Sequence, residues 1–494
     1  MFRRNVESLP ADAPFTPDLK QLGYFFNDNG DLRMVRDPSR GFYYRINKVQ
    51  RWNEVNAEAM HCCLRGELKS RFHQAGAGEL YLPQLTTSRP PTREPSVPIL
   101  IHAPEVLRAK KRVLVVINES MQDLGVWSWR FTDYDHGLLH GTASGLIQDL
   151  GNRKVQSGTA DPNGNAETPG LVVCNLGQLL YTYKWDGAVT PRSWDRMPRK
   201  SAVHPAATAV PNHNYIPGNR TPEEHLRFVF EKVLLNTEFV SKDADIYVVG
   251  LGTGGDELVH LLDREWSTYS SRIAAIAFSA ASLQPSWFTD DGFKTFATER
   301  ARSWSASDAP KGSCIGKPSD PTKHQASATI SEASSNMDGS DQIWGFGDDH
   351  NTFKQPTWCL EFSCGVECNG EDVFPHIYPD VMKWLFDEVA KSPQTYKNPE
   401  FEVYIPIEET EIETGRLDDA VVMPTEQDIT NVLGPKGVND GEEVKPSAGS
   451  HEVEFMRRSR PEDVLPADPK AAVEEVADKL KVQGVIDDET EKMT

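Results

Sequence analysis

The order of apolar runs along the chain predicts an α/β fold with three layers, in which a mostly parallel sheet lies between helices. Short runs rich in branched apolar residues alternate with amphipathic stretches of helical length, the pattern of repeated strand and helix units. The runs show little polar alternation, so both faces of the strands should be buried. We predict this domain over residues 98–396, with an N-terminal segment before it and an acidic tail after it.

The N-terminal part of the chain has its own local signals. Residues 1–22 are expected to be disordered or extended. Within residues 23–97, Asn29-Gly30 lies between two apolar stretches and predicts a hairpin, and a helix should begin near Trp52. The proline-rich connection SRPPTREPSVP then favours extended backbone. We therefore expect a hairpin and helix segment that packs on the main domain.

Five short runs in the main domain are predicted strands because they are apolar and rich in branched residues. They are Arg112 to Ile117, Leu171 to Cys174, Asp245 to Val249, Arg272 to Phe278 and Thr357 to Phe362.

Three amphipathic stretches are predicted helices. The first should run from Pro222 to about Thr237, because Thr221 and Glu224 form a capping box and proline favours the first helical position. The second is expected from about Gly255 to Trp266. The third should start after Pro379, because its apolar residues recur at helical spacing from there.

Other parts of the chain lack apolar periodicity. Residues 152–168 and 303–342 are rich in small and polar residues and are predicted to be mobile loops. Residues 397–494 are acidic and contain prolines, so we expect a mostly disordered tail.

Charge limits the possible partners. The chain has a formal net charge of -21, and from Phe401 onward 24 Asp and Glu stand against 10 Lys and Arg. An acidic chain repels a phosphate backbone, and no basic stripe interleaved with aromatic residues offsets this. We expect no direct nucleic-acid binding.

The sequence also bears on location. It contains no run of 18 apolar residues that could span a membrane, and its first residues lack an apolar signal region. We therefore expect a soluble protein of the nucleus and cytoplasm.

Metal and cofactor signals are weak. The seven cysteines lack the C-x-x-C spacing of zinc sites, and Cys359, Cys364 and Cys368 are expected to be packing residues. His136 and His140 are four residues apart but lack a third ligand nearby. We therefore predict no metal and no cofactor. Four tryptophans are interpreted as core and lid residues: Trp127, Trp129, Trp185 and Trp194.

The string DIYVVGLGTGGDELVHLL carries the strongest functional signal. A buried strand there meets a glycine-rich turn and then an amphipathic helix, which is the setting of a nucleophile elbow, so we predict that the sheet is of the α/β-hydrolase type. Such an elbow reads G-x-S-x-G, with the serine at its apex. In this chain the apex of Gly250-Leu251-Gly252-Thr253-Gly254 is Gly252, which has no side chain to attack a carbonyl.

The same letters satisfy a second pattern. Gly250, Gly252 and Gly255 form G-x-G-x-x-G between a strand and a helix, as in dinucleotide-binding units. Such units normally have an acid at the end of the next strand, and here that strand ends in Phe278-Ser279. A nucleotide-binding module is therefore a less favoured interpretation of this glycine pattern. A further interpretation is a tight turn with a purely structural role.

Several stretches together resemble one family, the Arb2-type domain, named for argonaute-binding protein two. They are NDNGDLRMV, KVQRWNEVNAEAM, RVLVVINES, GLVVCNLGQ, RTPEEHLRFVFEKVL, DIYVVGLGTGGDELVHLLDRE, RIAAIAF and LEFSCGVECNGEDVFPHIYPDVMKWLF, in one order along the chain. The resemblance implies a scaffold or adaptor in small-RNA or chromatin silencing. Its partner would be an argonaute-class or histone-modifying protein.

The departures from that family predict a lost active site. Relatives carry a serine where this chain has Gly252, a His-Gly pair where it has Asn118-Glu119, and a histidine where it has Asn369. The resemblance therefore implies a pseudoenzyme whose former catalytic positions are these four residues.

An active serine hydrolase with relocated residues is the main alternative. Ser120 or Ser279 would be its nucleophile and His376 its base, oriented by Asp308 or Glu367. Thr253, beside the apex, should turn away from the oxyanion position.

Overall fold

The fold is built on one large mixed sheet. The computed structural model describes residues 9–134, 136–155, 167–318 and 358–405. Nine strands form the sheet, in which six neighbouring strands are parallel and the two ends are antiparallel. None of the described helices combines the length and apolarity needed to span a bilayer. The predicted mostly parallel sheet is confirmed.

Thirteen strands lie in the described residues. In chain order they are β1 (Tyr24–Phe26), β2 (Leu32–Met34), β3 (Ala77–Leu82), β4 (Val97–His102), β5 (Arg112–Ile117), β6 (Gly170–Cys174), β7 (Leu180–Thr182), β8 (Gly187–Val189), β9 (Asp245–Leu251), β10 (Ile273–Ser279), β11 (Ala301–Ser305), β12 (Cys314–Gly316) and β13 (Leu360–Ser363). The large sheet has the order β12-β13-β11-β10-β9-β5-β6-β4-β3, while β1-β2 and β7-β8 form two small hairpins.

Ten α-helices accompany these strands in the same residues. They are α1 (Gln50–Gln74), α2 (Pro104–Arg108), α3 (Gly137–His140), α4 (Ala143–Asn152), α5 (Pro191–Arg196), α6 (Pro211–Asn214), α7 (Pro222–Val229), α8 (Thr253–Tyr269), α9 (Asp291–Arg300) and α10 (Gly370–Lys383). Two of them continue into π-helical turns, α7 into Phe230–Leu234 and α10 into Trp384–Glu388.

The sheet separates two apolar cores, which gives the three predicted layers. Along β5, Leu114 and Val116 point to one core, which also holds residues of α1, α4 and α10. Val113, Val115 and Ile117 point to the other, which holds residues of α7, α8 and α9. All of these β5 side chains are buried, as expected for a central strand covered on both faces.

The five predicted strands are present, but the segment around β11 was wrongly assigned to a mobile loop starting at residue 303. β11 pairs in parallel with β10 and β13, and Trp304 in it is buried. Its polar composition is explained by Arg302, whose guanidinium lies over the rings of Trp384 and Phe362 at 4.8 and 5.3 Å. Ring contacts of this kind let a cation lie in a buried strand.

The N-terminal segment is part of the sheet. Its hairpin is β1-β2, turning at the predicted Asn29-Gly30, and its helix is α1. β3 pairs antiparallel with β4 along its whole length, so the boundary drawn at residues 97 and 98 falls inside one sheet. Residues before the hairpin also contact the domain, since Asp12 pairs with buried Arg51 of α1 at 2.8 Å and accepts the Arg199 amide at 2.7 Å. The segment therefore supplies the edge strand of the domain.

Two helix boundaries differ from the predictions. Thr221 accepts the Glu224 amide at 3.1 Å, as the capping box predicts, but α7 ends at Val229 and a π-helical turn follows. α10 begins at Gly370 rather than after Pro379, and it contains two prolines. Proline removes a helical hydrogen bond, which is why it was wrongly interpreted as a boundary.

The remaining predicted loops and the tail are only partly described. The loop at 152–168 is closed by a bridge between Val155 and Glu167. The tail boundary at 397 is too early, because the Tyr404 amide donates to Cys314 and the Phe401 ring packs on Phe362. Residues 156–166, 319–357 and 406–494, which hold the rest of these predicted segments, lie outside the described residues.

Candidate functional site

The turn from β9 into α8 lies at the carboxyl end of a central strand. Gly252 is its apex, with φ 47° and ψ -126°, a conformation that residues with a side chain rarely adopt. Its amide donates to the Ser279 carbonyl of β10 at 2.8 Å, and α8 begins at Thr253. The chain therefore makes the sharp strand-to-helix turn that the glycine pattern predicts.

Close packing explains the neighbouring glycines. A Cβ atom on Gly250 would lie 2.6 Å from the Cα of Gly255, and one on Gly254 would lie 2.4 Å from the carbonyl oxygen of Asn118. Both distances are too short for real atoms, so helix and strands approach as closely as they do only because side chains are missing. This packing accounts for the G-x-G-x-x-G pattern, and β10 ends at Ser279 without an acid.

A carboxyl group faces the apex. A Cβ atom on Gly252 would lie 3.3 Å from Cγ and 3.4 Å from Cδ of Glu119. Burial raises the pKa of Glu119, and nearby Glu371 raises it further, while Arg192 and Gln122 lower it. The place that a side chain would occupy at the apex therefore lies beside the partly buried carboxyl group of Glu119.

Two further polar residues, Glu371 and Gln122, lie near Glu119. Gln122 donates from Nε2 to Glu371 Oε2 at 2.5 Å, and Arg130 pairs with the other oxygen of Glu371 at 2.7 Å. Burial is the largest cause of the raised pKa of Glu371. Gln122 is itself buried, and its Oε1 has no hydrogen-bond partner among the described residues. Sequence reasoning missed both residues because they are far apart in the chain and belong to no motif.

Asn118 holds the loop after β5. Its Nδ2 donates to the carbonyl of Asp123 at 2.8 Å. Asp123 in turn accepts hydrogen bonds from Arg65 at 3.2 Å, Trp129 at 3.0 Å and Gln178 at 3.0 Å. The loop that carries Glu119 is therefore fixed by a buried polar network that reaches α1 of the N-terminal segment.

Asn369 lies at the start of α10 and is exposed. Its Nδ2 donates to Asp372 at 3.3 Å, and Asp372 also accepts from Ser128 at 2.5 Å. A side-chain amide cannot act as a general base. Asn369 can therefore make a structural hydrogen bond at this position but cannot transfer a proton.

The alternative triad residues are not assembled by hydrogen bonds. Ser120 Oγ contacts Thr253 Oγ1 at 2.8 Å at the rim of the turn, whereas Ser279 is buried at the end of β10. His376 packs against the ring of Phe131, and burial lowers its pKa. Within the described ranges no histidine hydrogen-bonds to either serine.

The same holds for the acids that would orient a base. Asp308 and Glu367 are exposed on loops after β11 and β13, and neither is bonded to His376 in this part of the chain. Thr253 is exposed, with its hydroxyl on Ser120. The geometry of a serine hydrolase is therefore not formed by these side chains.

Histidines and cysteines form no metal cluster in the part of the chain that the structure describes. The rings of His136 and His140 lie 6.4 Å apart without a third ligand. Cys359 and Cys364 are buried free thiols, and Cys364 Sγ lies 4.0 Å from Cys368 Sγ.

The four tryptophans differ in exposure. Trp127 and Trp129 are buried, and Trp129 stacks on His61 at 4.2 Å. Trp185 is exposed, whereas Trp194 donates to the Ala207 carbonyl at 2.6 Å. The interpretation as core residues thus fits the first two.

Comparison with known proteins gives one match. The family model described as the Arb2 domain matches residues 15–311, more than half of the chain. That range contains every strand from β1 to β11 and the Gly252 turn, while β13 and α10 lie beyond it. No curated protein and no solved structure matches the chain significantly.

Proposed function

Because this chain belongs to the Arb2 domain family, we propose that it is a non-catalytic scaffold or adaptor that acts by binding other proteins. The observation that carries the proposal is Gly252 at the apex of a sharp strand-to-helix turn. An elbow of this kind performs chemistry through the side chain at its apex. Here the turn is retained and the nucleophile is missing.

The surroundings of the apex favour the same conclusion. The carboxyl carbon of Glu119 would lie 3.4 Å from a Cβ at the apex, so Glu119 borders the place from which a nucleophile would attack. A carboxylate there would oppose the negative charge of the transition state, whereas hydrolases place hydrogen-bond donors at this position. Asn369 supplies no base. Glu119 thus opposes hydrolysis, and Asn369 adds no group that promotes it.

The partner that we propose is an argonaute-class or histone-modifying protein, in small-RNA or chromatin silencing in the nucleus and cytoplasm. The family resemblance supports this assignment. The net charge of -21 opposes direct contact with a phosphate backbone, so the partner would carry any RNA.

In a gel-shift assay at physiological salt, we expect no binding of the isolated protein to short duplex RNA at micromolar concentration. A micromolar complex would contradict this part of the proposal.

The activity test compares wild type with Gly252→Ala and Ser120→Ala on activated short-chain esters, with a fluorophosphonate probe in parallel. We expect no turnover above the rate without protein and no stoichiometric labelling of a serine. Labelling of one serine together with turnover would contradict the proposal and favour a relocated active site. Affinity purification of the native protein with mass spectrometry then identifies the partner.

A further inference from the structure

A cavity of about 300 Å³ lies on the outer face of α8, between the start of α7 and the residues that follow β10. It is lined by Glu223 of α7, by Glu257, His260, Asp263 and Arg264 of α8, and by Trp287. A cavity of this size is at the lower end of those that hold ligands. It therefore suits one long side chain better than a larger molecule.

The lining of this cavity carries more negative than positive charge. Three of its side chains are carboxylates and one, Arg264, is a cation, which leaves a formal charge of -2. Arg264 is already engaged, because it pairs with Glu223 at 2.9 Å and donates to the His260 carbonyl at 3.1 Å. Asp263 accepts hydrogen bonds from the loop before α9. These contacts leave one acid of the lining without a partner.

That acid is Glu257. Within the described residues its carboxyl group has neither a hydrogen bond nor an ion pair. Burial is the largest cause of its raised pKa. The neighbouring acids Glu223 and Asp256 raise the pKa further, and His260 and Arg264 lower it without cancelling the rise. A partly buried carboxylate without a donor is unfavourable, and a bound cation would relieve this cost.

An aromatic surface forms another part of the cavity wall. The rings of Trp287 and His260 lie 4.6 Å apart, and both side chains are partly exposed. A cation over the face of an indole ring is attracted by the negative face of the ring. The cavity thus combines a tryptophan ring with a free carboxylate.

Of the cationic side chains, arginine matches this combination best. Its planar guanidinium can stack on a ring while its N–H groups bond both oxygens of a carboxylate. A lysine ammonium has no plane to stack and is more strongly hydrated. Free arginine would bring its own carboxylate into an acidic cavity whose Arg264 is already paired. An arginine within a polypeptide avoids this repulsion.

From this arrangement we propose that the cavity binds one arginine side chain of a protein partner, with its guanidinium stacked on Trp287 and paired with Glu257. The net charge of -21 favours the approach of a basic segment. This inference rests on the proposed function, because it requires that the chain acts by binding proteins.

A selection experiment tests the site with the full-length protein. A phage-displayed library of random dodecapeptides is selected on wild type, and the enriched peptides are titrated against Glu257→Gln and Trp287→Leu. The matched controls are Glu54→Gln and Trp185→Leu, which make the same exchanges at partly exposed or exposed positions outside the cavity. Thermal unfolding of all five proteins checks that each is folded.

We expect the enriched peptides to share one arginine. Their affinity should fall about tenfold or more on both cavity variants, remain unchanged on both controls, and weaken with salt. Citrulline in place of that arginine should also weaken binding about tenfold or more, since it removes the charge and keeps the shape. Lysine should restore only part of the affinity, because it keeps the charge without the planar group.

Four results would overturn this proposal. They are enrichment of peptides without a shared arginine, equal binding to wild type and the cavity variants, equal affinity of the lysine and arginine peptides, and displacement of the peptide by arginine amide or spermidine at similar concentration. The last result would identify a site for small cations instead.

The esterase and fluorophosphonate assays probe the Gly252 turn, which does not line this cavity. A failure of the arginine site therefore leaves the non-catalytic proposal standing. Serine labelling would contradict the non-catalytic proposal and would not account for arginine-dependent peptide binding.

Discussion

The turn after β9 and the loop after β5 border the same apex but are held in place by different forces. The turn depends on backbone packing, because Gly250 and Gly254 approach their neighbours more closely than any side chain permits. The loop depends on buried side chains, with Asp123 joined to Arg65, Trp129 and Gln178. Neither arrangement uses a side chain at Gly252. The shape of this turn therefore does not depend on a side chain at its apex.

The largest expected effect is on the loop. Asp123→Ala should lower the free energy of unfolding by about 3–5 kcal/mol, because it removes a buried carboxylate and leaves the donors of Trp129, Gln178 and the partly buried Arg65 without their shared acceptor. Urea-induced unfolding measures the change. Asp380→Ala is the control, since it removes an ion pair with Lys311 in which the side chains are 51% and 49% exposed, and it should cost less than about 1 kcal/mol. Equal losses would show that the loop network is not the stabilising element.

A smaller loss is expected from the turn. Gly254→Ala should cost about 1–3 kcal/mol in the same assay, since its Cβ would lie 2.4 Å from a backbone oxygen that cannot rotate away. Gly151→Ala in α4 is the matched control, because no atom lies within 4 Å of the added Cβ. There the change should stabilise by about 0.5–1 kcal/mol, as alanine favours helix. A neutral Gly254→Ala variant would mean that the turn tolerates side chains.

These two regions also show what the sequence could predict. Gly252 was identified because a motif with fixed spacing marks it, and Asn118 and Glu119 because the resembling family has a His-Gly pair at their positions. Gln122 and Glu371 were missed because their hydrogen bond joins the loop after β5 to α10, which only the folded chain brings together. No local sequence pattern predicts such a contact.

The fold was predictable where one physical signal dominated. β5 and β9 are continuous apolar runs, and the sequence alone identified them. β11 was missed because Arg302 makes it look polar, and only the rings around that side chain explain its burial. The start of α10 was misplaced because Pro379 normally marks a boundary. Tertiary packing overrode the local signal in both cases.

A third experiment tests the acid at the apex. The pKa of Glu119 is raised above its ordinary value of 4.5, mainly by burial, so the folded protein holds this proton more tightly than the unfolded chain. The wild-type carboxyl therefore costs stability as pH rises above about 4.5. Glu119→Gln removes the charge, and its stability relative to wild type should increase between pH 4 and pH 8. Glu367→Gln, on an exposed loop, is the control for removing a glutamate charge away from the apex.

The smallest expected effect is on activity. Gly252→Ser should give no efficient hydrolase, although it restores a hydroxyl at the apex. Serine at φ 47° and ψ -126° is strained by about 1–3 kcal/mol, and its Cβ would lie 3.3 Å from Glu119. Without a base at Asn369 the hydroxyl stays protonated and is a weak nucleophile at neutral pH. Catalytic groups act as a unit, so one restored member contributes little alone.

Gly252→Ala is the control, because it carries the same strain without the hydroxyl. Any difference in ester turnover between the two variants therefore reports on the hydroxyl. We expect that difference to be indistinguishable from zero, with no stoichiometric fluorophosphonate labelling of either variant. If the serine variant alone turned over ester well above the rate without protein, a functional base would have to lie near the apex, and the proposal of a non-catalytic turn would fail.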